Sequence, residues 1–233
     1  MAGGLSMLCD GLVGIASTIG AGIKSLCEEV GSEGLALIGC IAMSILIPGF
    51  GLPEILTLIQ CIAEVAKILG VNEGEDTPEE LGMKTEIAER KPEDFDSTEQ
   101  YIKYLNEEVE LEKGSVEKLS EIDKAKYGAM GAALNIKAIE EKYDISLSSD
   151  FLRDVTMMKM TSEEISEYIT KFKENGVTKM QDMTDYLRDN PIETEKSKIS
   201  NTMMDALSEV YPELSEEDLA VKIEEMREEL RVE

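Results

Sequence analysis

An all-α fold follows from three observations on this sequence. Ser or Thr followed three residues later by Glu, Gln or Asp recurs along the acidic C-terminal part, each time ahead of helix-forming residues. The apolar residues in those stretches return every three or four positions, which gathers them on one helical face. No stretch alternates apolar and polar residues between hairpin turns, so strands are not expected beyond a trivial pair.

Composition limits function before any element is placed. The chain has 233 residues, 42% of them hydrophobic, enough to bury a core in one or two domains. Its 49 acidic residues outnumber 23 basic ones for a formal charge of −26. Contact with a phosphate backbone needs clustered Lys and Arg, so no nucleic-acid partner is expected. There is no His and no Trp, which removes the commonest general base and neutral metal ligand together with the usual Ser or Cys triad. The charge is uneven: residues 1–70 hold six acids and two bases, net −4, leaving 43 acids and 21 bases, net −22, beyond them. The change falls at the Gly-containing charged stretch VNEGED, residues 71–76. The organisation expected is a Gly-rich apolar helical hairpin module over 1–70, a linker with a short helix over 71–92, and an acidic all-helical domain over 93–233.

Within the apolar part, a first helix is expected over about 5–29. It carries Gly11, Gly14, Gly20 and Gly22, each costing roughly 0.5–1 kcal/mol relative to Ala in a helix interior. The pairs Ala16/Gly20, Ser17/Ala21 and Thr18/Gly22 have the small-xxx-small spacing that lets helices approach closely, most familiarly in membranes. Residues 34–53 then run for 20 positions without a charge, a length in the transmembrane range. Pro48, Gly49, Gly51 and Pro53 interrupt the run and leave a helix of about 14 residues, roughly 21 Å against a bilayer core of about 30 Å. Pro53 is placed to open a third helix that stops at Gly70. The resulting hairpin, with IPGFGLP at its tip, carries an apolar surface that is either the buried centre of a soluble all-α protein or a contact for a membrane or for copies of the same chain. The residues expected to make that contact are Leu35, Leu37, Ile38, Ile41, Ile45, Leu46, Ile47, Phe50, Leu52, Ile55, Leu58, Ile62 and Val65. Lys and Arg are scarce around the hairpin, which favours self-association over anionic lipid. No conventional signal peptide or lipidated Cys is read at the start of the chain, and localisation stays open between a membrane and a large assembly.

All four cysteines, Cys9, Cys27, Cys40 and Cys61, lie in the apolar part at separations of 18, 13 and 21 residues. That is neither a CxxC nor a zinc-ligand pattern, so no metal or other cofactor is expected. The cysteines are read as small buried side chains of a reducing compartment, with a Cys40–Cys61 disulfide as the alternative.

The acidic part is read as short helices over 78–90, 98–111, 121–143, 150–158, 162–175, 178–189, 196–210 and 216–230. Thr77-Pro78-Glu79-Glu80, Ser97 with Gln100 and Thr161 with Glu164 are capping boxes, and Ser120 with Asp123 and Ser215 with Asp218 are shorter versions. Stops fall at Lys91-Pro92, Gly114, Gly176, Asn190-Pro191 and Tyr211-Pro212. Apolar stripes follow: Ile122, Met130, Leu134, Ile139 and Tyr143; Ile165, Tyr168, Ile169 and Phe172; Leu219, Ile223, Met226 and Leu230. Met157, Met158 and Met160 are close enough that they cannot all share one face, and they are the candidates for a protein-partner surface, because Met adapts to varied contacts.

Catalytic signatures are missing. The Glu pairs 107/108, 140/141, 163/164 and 224/225 are adjacent, and adjacent helical residues do not face each other. Asp94-Phe-Asp96-Ser lacks the Gly of a calcium loop, and Gly128-Ala-Met-Gly131 lacks the Lys and preceding strand of a phosphate loop. The sequence therefore reads as a non-enzymatic membrane-associating protein that inserts its hairpin and presents an acidic domain to a partner. The alternative is a homo-oligomeric assembly subunit with the hairpin buried between copies.

Overall fold

The computed structural model describes residues 51–231. Among them are nine α-helices and two short 3-10 turns, at Pro92–Asp94 and Val116–Lys118. The sole β pairing recorded among these residues is an isolated bridge between Ser146 and Lys179. The helices are α1 (Leu52–Ile68), α2 (Pro78–Ile87), α3 (Thr98–Glu108), α4 (Glu121–Tyr143), α5 (Ser149–Met157), α6 (Ser162–Glu174), α7 (Gln181–Leu187), α8 (Lys196–Val210) and α9 (Glu216–Arg231). The chain is all-α, as the caps and spacings imply. The helices expected over 5–29 and 34–47 lie outside the described residues.

The helix ends form by the chemistry that the sequence carries. Thr77 Oγ1 accepts from Glu80 N at 3.2 Å while Glu80 Oε2 accepts from Thr77 N at 2.8 Å, a complete capping box. Thr161 and Glu164 form the same pair at 3.2 and 2.9 Å. At Ser97 the reciprocal bond slips by one residue: Gln100 Oε1 accepts instead from Asp96 N at 3.4 Å. At the other ends, Gly70 and Gly176 adopt φ of +65° and +64°. The next N–H then folds back in each case, Val71 to Ala66 O at 2.9 Å and Val177 to Phe172 O at 2.8 Å. These are Schellman stops, with Val71 and Val177 buried beneath them. The expected start of α7 at 178 moves to Gln181 because Thr178 O and Met180 N are engaged by Ser146.

Contacts divide the chain into two compact units, residues 1–138 and 139–233. In the first, α4 is its central helix, with residues 128–136 buried without interruption. That burial explains a composition of Gly, Ala and apolar residues all round the helix. A Cβ on Gly131 would stand 2.1 Å from Pro78 O, and one on Gly82 would stand 2.0 Å from Tyr127 O. Thus α2 crosses α4 backbone to backbone, which a side chain at either position would prevent. Gly128 gives Ile59 of α1 its place, 3.1 Å from where a Cβ would be. The Gly128–Gly131 spacing is a packing device. Ile122, expected on the apolar stripe of this helix, is 40% exposed, since the first turn of α4 extends past the covered stretch.

In the second unit, α6 packs most extensively on α8, and α9 lies against α8, α7 and α5. Tyr168, Ile169, Phe172, Met203 and Leu207 are fully covered, so the stripe expected on α6 is its core face. Leu219, Ile223 and Leu230 bury the corresponding stripe of α9. A buried ion pair accompanies this core. Asp154, fully buried, receives Arg188 through Nε at 3.1 Å and Nη2 at 2.9 Å, and Arg153 Nη2 at 2.8 Å. Arg188 Nη1 then donates to Leu230 O at 3.1 Å, satisfying a carbonyl in the last turn of α9.

Candidate functional site

Of the residues expected to make the apolar contact, Leu35, Leu37, Ile38, Ile41, Ile45, Leu46, Ile47 and Phe50 lie outside the described residues, as do Cys9, Cys27 and Cys40. The other five are on α1. Ile55, Leu58, Ile62 and Val65 are buried at 3–5% exposure, and Leu52 is half-buried. That face is buried, with Ile59 against Gly128 of α4, and from the other side of the helix Gln60 Nε2 donates to Glu79 Oε1 at 3.4 Å. The opposite face, carrying Thr57, Gln60, Glu64 and Lys67, is exposed. Cys61 is half-buried.

The methionines separate by role. Met158 is the C-cap of α5, Lys159 takes φ of 52°, and Met160 N donates to Val155 O at 3.0 Å. This is a Schellman turn closed by a non-Gly residue, and the apolar residue after such a turn packs back on the helix. Met160 is accordingly 8% exposed, while Met157 and Met158 are half-buried.

A second feature of the first unit was not legible in the sequence. The loop 70–74 and α3 enclose a cleft of about 240 Å³. The Schellman turn at Gly70 delivers Asn72 to the interior, where it is 3% exposed. Asn72 Oδ1 accepts from Gly74 N at 3.2 Å. A backbone N–H can only donate, so the orientation of the Asn72 amide is set. Asn72 Nδ2 must then be a donor, and it gives to Asn135 Oδ1 at 3.2 Å. Asn106 Nδ2 donates both to Asn72 Oδ1 at 3.1 Å and to Ile102 O at 3.0 Å, two acceptors that fix its amide as well. The relay leaves a buried, unpaired acceptor at one end, Asn106 Oδ1, and a buried, unpaired donor at the other, Asn135 Nδ2. Each such group costs about 1–3 kcal/mol. Gly74 makes the arrangement possible, because a Cβ there would fall 2.1 Å from Asn106 Oδ1. The three asparagines are 34 and 63 positions apart along the chain. The available sequence signals were VNEGED at the composition boundary and one amide, Asn135, inside an otherwise apolar helical run.

The second unit holds a different polar cluster. Tyr211 Oη donates to Glu164 Oε1 at 2.8 Å, and Lys222 Nζ lies 3.7 Å from that oxygen and 4.3 Å from the Tyr211 ring centre. Burial, and then donation to Glu164, push the Tyr211 hydroxyl up to about 12. Burial raises the hydroxyl of Tyr168 as well. Neutral, hydrogen-bonded phenols of this kind join helices. Among the described residues, no group of three or more Cys, Asp or Glu side chains could hold a metal ion. Nor is any described helix long and apolar enough to cross a membrane. No protein-family model matches this chain, and neither curated proteins nor solved structures give a match to it.

Proposed function

We propose that this is a non-enzymatic membrane-associating protein, with a hydrophobic N-terminal helical hairpin followed by an acidic multi-helix body that stays in water and meets a protein partner. The observation that carries the reading is the division of labour around residue 51. The charge-free run of 20 residues at 34–53 leads directly into α1. Ile55, Leu58, Ile62 and Val65 of α1 are buried, and α1 meets the acidic body through Ile59 at Gly128 and Gln60 at Glu79. The second arm thereby serves as the fastening to the acidic body, and the task of apolar contact falls to Leu35–Phe50. An arm of about 14 residues is too short to span a bilayer and suits shallow insertion.

A specific observation favours a second reading. Residues 1–70 contain two basic side chains, Lys24 and Lys67, so attraction to anionic lipid is weak and self-association through the same run is the rival. Flotation of the full chain with neutral liposomes, beside light scattering in detergent-free buffer, tests both. Exchanging Leu46 and Phe50 together for Asp is expected to lower liposome binding at least roughly tenfold without loss of helicity, since each charge placed in an apolar contact costs about 1.4 kcal/mol or more. Unchanged flotation sinks the membrane reading. A discrete oligomer that the same double substitution dissolves would transfer the run to a subunit interface.

A further inference from the structure

We draw no further inference here: the strongest candidate, the exposed apolar surface of Ile87 and Ile122 at the end of α2 and the start of α4, carries nothing because nothing in the structure shows what covers it.

Discussion

The two units solve one problem, joining amphipathic helices with few aromatic residues, by different means. The first removes side chains. Gly82 and Gly131 let α2 and α4 meet backbone to backbone, and beside them the unit buries the amides of Asn72 and Asn135 and one ion pair, Lys84 with Asp76. The second adds polar side chains. Asp154 with two arginines, and Glu164 with Tyr211 and Lys222, join its helices through charged or charge-assisted bonds. Close approach tolerates no added atom, whereas a charged network tolerates no removed one. The glycine crossing of the first unit and the charged network of the second should therefore fail under opposite kinds of substitution.

Asp154→Ala is the largest expected break. It leaves Arg153 and Arg188, each with a side chain only 17% exposed, without their shared carboxylate. Removing one partner of a buried pair typically costs about 3–5 kcal/mol. Urea unfolding measures it, and a loss below about 1 kcal/mol would show that the arginines find water and that the network contributes little. Next comes Gly131→Ala. On an open helix this change would stabilise by about 1 kcal/mol. Here the new Cβ meets Pro78 O at 2.1 Å, and overpacking against backbone should invert the sign to a loss of about 1–3 kcal/mol. A neutral or stabilised variant would refute the backbone crossing.

The smallest effect has a pH signature. Tyr211→Phe should cost about 1 kcal/mol at neutral pH, because Glu164, 8% exposed, loses its donor. The Tyr211 hydroxyl sits at about 12 in the folded chain against an ordinary value of 10.0. Between those values the unfolded chain gives up a proton that the folded chain keeps, so this contribution is whole below pH 10 and is lost as the pH climbs to about 12. The variant should show a shallower alkaline loss over that window. Tyr168, raised in the same direction, keeps some slope in place. Parallel profiles for the two proteins would rule out the Tyr211 bond as the source.

Local chemistry was read well from the residues, because a cap or a Schellman stop is decided within a few positions. Thr77, Thr161, Gly70 and Gly176 act where their neighbours indicate. Ser148, which caps α5 through Phe151 N at 3.1 Å, escaped because no acidic residue follows at the third position. The apolar residues of α1 were recognised as one face, while what covers them stayed open between a protein core, a membrane and a second copy. Met157, Met158 and Met160 were grouped by adjacency, whereas a left-handed Lys159 sends Met160 into the interior.

By itself, then, the sequence determined an all-helical chain, the helix starts and stops, the apolar stripes and the uneven charge. Each rests on interactions within one or two turns. Only the tertiary structure decided what each stripe meets, why the glycines of α4 are there, and that Asn72, Asn106 and Asn135 form one relay with an unpaired oxygen at a cleft. The reason is that these depend on which distant backbone atoms come within about 3 Å of one another, and local residue spacing carries no record of that.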